Sequence, residues 1–330
     1  MKPSVLITRA VFPEIVARLR EHFEVVTNEA DDVWPQAELI ARMQGQAGAF
    51  LTGTQQIDAA LLDACPDLRA VCSMAVGYNN IDVPACTAHR VLASNAPDVL
   101  TETTADFGFA LMMAAARRIT ESEHFLRRGE WTKWGVDLFA GSDVHGATLG
   151  VLGMGRIGQA IARRGALGFG MRVLYHNRSR LDATIEAELG ARWVDKDELL
   201  RSSDHLVIVV PYSAASHHLI GAAELALMKP TATLTNIARG GIVDDAALAQ
   251  ALRNHTIAAA GLDVFEGEPR VHPDLLTVPN VVLTPHIASA SRPTRLAMAH
   301  LAADNLIAAL GCGPNKGRPP TALNPEALAL

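Results

Sequence analysis

Cysteine is scarce in this 330-residue chain: Cys65, Cys72, Cys86 and Cys312 are its four, with no C-x-x-C pair among them. That argues against a disulfide framework, and the thiols read as reduced. Long apolar runs are missing too. The longest, Phe107 to Ala116, falls well short of the roughly 20 residues that cross a bilayer, and the opening MKPSVLITRA reads as a strand rather than a signal segment. A cytoplasmic protein with no membrane partner is predicted. Nor is there an excess of basic residues: 29 Lys and Arg stand against 35 Asp and Glu, for a net charge of -6. The footprint of a nucleic-acid binder is therefore lacking, so an anionic ligand must be met by local groups. The twelve histidines include the pair His217–His218 but no H-E-x-x-H spacing, so the pair reads as a solvated surface feature and no metal is predicted. Low-complexity runs are absent as well. What is left, 49% hydrophobic and 19% charged, has the composition of a globular enzyme. Its length exceeds the roughly 250–300 residues at which a single core stops growing, so two domains are expected.

The most informative stretch is TLGVLGMGRIGQAIARR, Thr148 to Arg164. An apolar run ends at Gly153, Gly155 and Gly158, a G-x-G-x-x-G spacing, and Ile157, Ala160 and Ile161 then recur at helical intervals. A strand, a tight turn and a helix in that order form a cradle for a diphosphate. The first glycine permits the turn, the second lets backbone approach the pyrophosphate, and the third lets helix pack on strand. The unpaired N–H groups at the helix start attract the anion.

Before this turn, strand-like runs at Val5–Ile7, Phe23–Val26, Ala49–Leu51, Val71–Met74 and Val91–Ala93 alternate with helical patterns beginning near Phe12, Gln36 and Asp58. That is βαβα with a parallel sheet. After the break Asn95-Ala96-Pro97-Asp98 comes a long apolar helix ending at Arg117–Arg118, and GEWTKWGVDLFAGSDVHG reads as a loop. Beyond the glycine turn, MRVLYH, DHLVIVVP, ATLTNIA, IAAAGLDVF and NVVLTPH are predicted strands of a doubly wound nucleotide-binding domain, with functional loops at their carboxyl ends. Arg292 to Leu310 is helical again, and the Pro/Gly-rich remainder is placed back on the first domain. This gives residues 1–98 plus 291–330 as a substrate domain and 99–290 as an inserted cofactor domain, with a substrate cleft between them.

About twenty residues past the glycine turn, where an acid usually grips the ribose 2′-hydroxyl of NAD, stands Asn177, followed by Arg178, Ser179 and Arg180. These offer guanidinium and hydroxyl donors to a 2′-phosphate that an acid would repel, so NADP (NADPH) is favoured over NAD. The alternative is a solvated basic turn. Further on, TNIARGGIVDD, AGLDVFEGEP and LTPHIASA place Arg239, Asp263, Glu268 and His286 at strand ends. Singly, the arginine reads as a turn cap, the glutamate as solvated and the histidine as a core residue. Together they offer a cation for a substrate carboxylate, an acid–base group for a carbinol oxygen, and a carboxylate to orient that group and raise its pKa.

In order and spacing, GMGRIG, the ARG segment at Arg239, GLDVFEGEP and the TPH at His286 resemble the D-isomer-specific 2-hydroxyacid dehydrogenases over nearly the whole chain. The resemblance implies an α/β protein of two doubly wound parallel-sheet domains, the Rossmann cofactor domain inserted into a discontinuous flavodoxin-like substrate domain. It implies that Arg239 binds the 2-oxo acid, that His286 is the acid–base and that Glu268 is its partner. The loop MAVGYNN would offer the backbone N–H groups of Val76 and Gly77 to the substrate carboxylate; without the resemblance it reads as an ordinary strand-end turn. Arg156, Ile157, Pro211, Ile237 and Asp263 would surround the cofactor, with Thr104 near the nicotinamide. LTGTQQID, WTKW and Asn177-Arg178 are most similar to the NADPH-linked glyoxylate/hydroxypyruvate reductases, whose bacterial members also reduce 2-ketogluconate. That subgroup is dimeric, and a tryptophan corresponding to Trp134 reaches the partner subunit's pocket; alone, Trp131 and Trp134 read as anchors of an interface. The alternatives are an NAD-linked dehydrogenase of phosphoglycerate or D-lactate type, and a non-catalytic nicotinamide-sensing protein of the kind found among corepressors that resemble this family. The first is disfavoured by the basic turn after Asn177. The second is disfavoured by the joint presence of Arg239, Glu268 and His286.

Overall fold

Aliphatic runs without polar alternation become strands covered on both faces. In the computed structural model, which describes residues 2–328, Thr101–Ser289 forms one unit and the chain on either side of it forms another. The flanking segments build a five-stranded sheet from β1 (Ser4–Ile7), β2 (Glu24–Thr27), β3 (Gly48–Leu51), β4 (Ala70–Ser73) and β5 (Leu92–Ser94). All four pairings are parallel and the order is β2-β1-β3-β4-β5, the flavodoxin-like arrangement. β3 and β4, in the middle, are buried at every position, whereas β2, at the edge, alternates exposed and half-buried. The helix Arg292–Ala309 returns to cover β3 and β4. Gly48 permits that closure, because a Cβ there would lie 2.8 Å from Leu306 Cδ1. The Pro/Gly-rich segment beyond this helix also docks on the unit: buried Asn324 accepts from Ala93 N and donates to Val91 O and Thr87 Oγ1.

The inserted unit carries β6 (Thr148–Leu152), β7 (Arg172–His176), β8 (Ala191–Trp193), β9 (His205–Ile208), β10 (Thr233–Asn236), β11 (Ala259–Leu262) and β12 (Val281–Leu283). They form one parallel sheet in the order β12-β11-β10-β9-β6-β7-β8. The chain runs outward from β6 through β7 to β8, then crosses to β9 and runs outward the other way. The reversal lies between β6 and β9, and beyond the carboxyl ends of strands at such a point an open α/β sheet holds its ligand. Helices here begin where the side chains of Asp182, Asp195 and Asp244 accept from backbone N–H groups two or three residues on, as Asp58, Asp82 and Ser291 do in the other unit. Each such cap contributes about 1 kcal/mol.

Several short elements differ from the sequence reading, among them the six-residue helix Val83–Ala88 between β4 and β5. β8 is three residues long, too short to show a period. The long helix Thr101–Ala116 is followed by a second, Ile119–Arg127, because Arg118 adopts a left-handed φ of 53° and redirects the chain. None of the second helix's residues is buried, so it carries no core-facing signature.

Candidate active site

At the end of β6 the three glycines do three different things. Gly153 takes φ +102°, and a Cβ there would sit 2.8 Å from the backbone of Val209 and Val210 at the end of β9. A Cβ on Gly158 would meet Gly153 O at 2.3 Å, so the helix Arg156–Arg163 lies directly on the turn. Gly155 caps that helix without any side-chain bond, and a Cβ there would meet nothing within 4 Å. A tight turn, a helix N-terminus and open space over the middle glycine make a cradle sized for a diphosphate. Arg156 and Ile157 open the helix at its rim, exposed and half-buried. Thr104, in the first turn of the helix Thr101–Ala116, is 5% exposed, and its Oγ1 finds no partner among the described residues. Ile237 follows β10 and packs so closely on that helix that a Cβ on Gly108 would lie 2.6 Å from Ile237 Cδ1. An orphaned hydroxyl and a glycine cradle both fit a nicotinamide dinucleotide.

The end of β7 holds the turn that follows it. Asn177 Oδ1 accepts from Met154 N at 2.7 Å, tying this turn to the glycine loop, and Asn177 O accepts from Trp193 Nε1. Arg178 and Ser179 are exposed. Arg180 departs from the sequence expectation: its Nε and Nη2 donate to both oxygens of Glu186, at 2.8 and 2.6 Å, so this fork faces a carboxylate rather than a phosphate.

The chemistry-bearing residues converge at the carboxyl ends of β10, β11 and β12. His286 Nδ1 lies 2.8 Å from Glu268 Oε2. Burial pushes the Glu268 carboxyl up, but the bond and charge of His286, the N–H of Phe265 and the charge of Arg239 together hold it below its usual value. An ionised carboxylate only accepts, so Nδ1 carries the hydrogen toward Glu268 and Nε2 is the ring's other face. His286 has φ +54°, a left-handed backbone held by its N–H donating to Asp263 O and Thr284 O. Asp263, expected beside the cofactor, is fully buried, and its carboxylate accepts from Thr284 Oγ1, Ile287 N and Ala288 N at 2.7–2.8 Å. Its side chain therefore shapes the loop that carries His286. Burial raises its pKa against the pull of those three bonds. Arg239 follows β10, where Asn236 bridges Ala238 N and Arg239 O. Its guanidinium donates to Ala238 O, and burial lowers its pKa while the charge of Glu268 opposes that. Gly240 brings the Arg239 and Glu268 loops into contact, since a Cβ there would fall 1.7 Å from Phe265 O.

A nicotinamide cradle beside a cation and a carboxylate–imidazole pair suits hydride exchange at a 2-oxo acid, and the comparisons with known proteins agree. The pattern described as "D-isomer specific 2-hydroxyacid dehydrogenase, NAD binding domain" matches residues 109–288, more than half of the chain. The chain belongs to the D-isomer-specific 2-hydroxyacid dehydrogenase family. Within that family it is 48% identical to a glyoxylate reductase of Thermococcus onnurineus, over 99% of this chain and 98% of that protein. It is 47% identical to glyoxylate/hydroxypyruvate reductase B of Klebsiella pneumoniae, over 94% and 96%. The NADPH-dependent glyoxylate/hydroxypyruvate reductase of Sinorhizobium meliloti, solved with NADP and malonate, superimposes with a TM-score of 0.85 at 37% identity, covering 98% of each chain. As a member of this 2-hydroxyacid dehydrogenase family the protein is an oxidoreductase that acts on the CH–OH group, reduces 2-oxo acids and uses a nicotinamide cofactor.

The remaining expected residues lie elsewhere in the dehydrogenase. Val76 and Gly77 are half-buried in the turn after β4, where Val76 O accepts from Asn95 Nδ2 at 2.7 Å. Pro211 is exposed after β9, and its carbonyl accepts from Ser216 Oγ. Trp131 and Trp134 are 54% and 76% exposed, so neither is a core anchor of its own chain. His217 and His218 are more than a solvated pair: their rings stack at 3.9 Å, His218 Nε2 meets Glu266 Oε2 at 2.8 Å, and ligand atoms of the three residues lie within 4.8 Å of one another, close enough to hold a metal ion. Among the described residues no helix is long and apolar enough to cross a membrane.

Proposed function

We propose that this dehydrogenase reduces small 2-oxo acids with NADPH, glyoxylate and hydroxypyruvate foremost and 2-ketogluconate within its range, with His286 as the proton donor. The observation that carries the reading is the 2.8 Å Glu268–His286 pair on a loop whose backbone Asp263 holds in place. When bound, the nicotinamide supplies a hydride to the carbonyl carbon. Arg239 grips the carboxylate through two parallel charge-assisted bonds. Protonated His286 delivers the Nε2 proton to the carbonyl oxygen, giving the D-2-hydroxy acid. Its ring then regains a proton from solvent while Glu268 keeps it oriented. Gly153, Gly155, Arg156, Ile157 and Gly158 would hold the diphosphate, and Arg178 and Ser179 the 2′-phosphate, with Pro211 and Ile237 elsewhere around the cofactor and Thr104 near the nicotinamide. The substrates and NADP in the names of the relatives above support the same choice.

Initial rates with NADPH and NADH, each against glyoxylate, hydroxypyruvate and 2-ketogluconate, test this directly. Faster NADPH oxidation with the two smaller acids is expected, and a parent that favours NADH overturns the cofactor reading. In the same assay, Asn177→Asp with Arg178→Ala should move the ratio of kcat/KM toward NADH. Aspartate keeps the acceptor for Met154 N but adds a charge that repels the phosphate, while alanine removes a donor. An unmoved ratio would make the turn a surface feature only.

The chain is also proposed to work as a homodimer. Trp131, Trp134, Val136 and Leu138 are all 42% or more exposed on one loop, with Ile119 and Leu126 exposed on the helix before it. Apolar exposure this concentrated marks an interface. Sedimentation is expected to give twice the chain mass of 35.2 kDa; a single-chain mass across micromolar concentrations would exclude it.

A further inference from the structure

Glu186 is a carboxylate the reaction itself does not call on, yet it is only 8% exposed and surrounded by donors. Arg180 reaches it with Nε and Nη2, and Tyr175, fully buried on β7, donates its hydroxyl at 2.6 Å. The same hydroxyl oxygen accepts from Leu181 N at 2.8 Å. The Arg180 bonds first, and the Tyr175 bond second, hold the Glu186 carboxyl down at about 2, so it is ionised at every pH at which the enzyme would work.

These contacts close the rear of the turn after β7, whose front is closed by Asn177 on Met154 N and by Trp193 Nε1 on Asn177 O. Arg178, Ser179 and Arg180 are all exposed, but Arg180 is turned back onto Glu186 through Nε and Nη2. The turn is pinned at both ends, and the guanidinium of Arg178 and the hydroxyl of Ser179 lie between the two closures. Arg180 cannot at the same time offer that fork to a second anion, because its Nε and Nη2 are already directed at Glu186.

We propose that Glu186 is a positioning residue for cofactor choice: by engaging Arg180 and Tyr175 it fixes the turn so that Arg178 and Ser179 meet the 2′-phosphate of NADPH. This rests on the NADPH reading above and deepens it. Two physical effects combine. Ordering the turn in advance removes a cost that phosphate binding would otherwise meet. Arg180 neutralises Glu186, so the approaching dianion does not face an uncompensated carboxylate. The role of Arg180 is then indirect, which separates it from Arg178.

The test is binding by the whole protein, without turnover. NADPH and NADH are titrated by fluorescence, and adenosine 2′,5′-bisphosphate and AMP by calorimetry, in parent, Glu186→Gln, Arg180→Ala and the double variant. Glutamine keeps the shape but not the charge. Glu186→Gln should raise Kd for NADPH and for the bisphosphate about tenfold, while NADH and AMP change less than twofold. Arg180→Ala should weaken NADPH further, because it strands the carboxylate, and adding Glu186→Gln should recover part of that loss. A double variant as weak as Arg180→Ala would make Arg180 a direct phosphate ligand and overturn the proposal. An unchanged NADPH:NADH ratio of Kd in Glu186→Gln, from a parent that prefers NADPH, would overturn the role of Glu186 alone. A parent without preference would remove the NADPH reading and this inference together. Should Glu186→Gln fail to fold, Tyr175→Phe, which deletes only the bridging hydroxyl, is expected to weaken NADPH several-fold and NADH little, and equal loss of both would count against the idea.

Discussion

His286→Asn is expected to lower kcat/KM for glyoxylate reduction by about 10²–10⁴-fold, the range over which a positioned acid or base contributes to a proton-transfer step. Asparagine is the better replacement here. His286 has φ +54°, a conformation that costs alanine about 1–2 kcal/mol but that asparagine adopts readily. The loop bonds to Asp263 come from the backbone of residues 286, 287 and 288 and survive the change. A loss in the variant then reports the missing proton donor rather than a displaced loop. If the variant binds NADPH normally and retains more than a tenth of parental kcat/KM, another group supplies the proton. The companion variant is Glu268→Gln, which keeps the shape but removes the charge that faces the ring across the 2.8 Å contact. It should lower kcat/KM for glyoxylate by about tenfold or more with NADPH affinity unchanged, and a variant with parental kcat/KM would take the orientation of the ring away from Glu268. The carboxyl of Glu268 lies below its usual value, so it keeps its charge well into the acid range, and activity that depends on that charge should hold as pH falls through the ordinary carboxylate range and be lost only below it.

Arg239→Lys should cost about 2–4 kcal/mol in kcat/KM, judged by what removing one preorganised catalytic donor costs. Two things are lost at once. Lysine cannot make two parallel bonds to a carboxylate, because its ammonium is a point charge without a planar fork. The surroundings also disfavour positive charge here: burial lowers the pKa of Arg239 even with Glu268 beside it. A guanidinium remains charged through such a shift, whereas an ammonium starting near 10.4 has less margin. The loss should therefore be larger near neutral pH than at pH 5.5, while NADPH affinity is unchanged. Parental kcat/KM in Arg239→Lys would take the carboxylate clamp away from this residue.

Much of the fold can be read from local pattern. β3, β4 and β6 are uninterrupted apolar or small-residue runs, Asp58 and Asp244 announce helices, and the glycine spacing at 153, 155 and 158 dictates its own turn. What escaped the sequence reading is held together by tertiary partners. Arg180 looks like a phosphate donor until its neighbour Glu186 is seen; the two are six residues apart, a separation that is neither helix nor strand spacing. Asp263 is put beside the cofactor by the family resemblance alone, and only the fold brings the N–H groups of Ile287 and Ala288 to its carboxylate. The helix Ile119–Arg127 has no fully buried residue, Phe125 being half-buried against Phe139, so the sequence shows no core-facing run there.

The five-stranded sheet is completed by a helix that comes late in the chain. β3 and β4 are covered by Arg292–Ala309, with Leu306 seated over Gly48, and that helix leaves the ribosome only after the whole Thr101–Ser289 unit has been made. At synthesis rates of about 5–20 residues per second, the first hundred residues wait roughly 10–40 s for their cover. By the end of that interval the inserted unit has every strand of its own sheet in hand. In the first hundred residues Ala49, Leu51 and Val71 already pack with Leu39, Met43 and Leu61, whereas the side of β3 that carries Gly48 still waits for its helix. The order of folding is thus the reverse of the order of synthesis: the middle of the chain can mature first, and the beginning must be kept from aggregation until the far helix arrives.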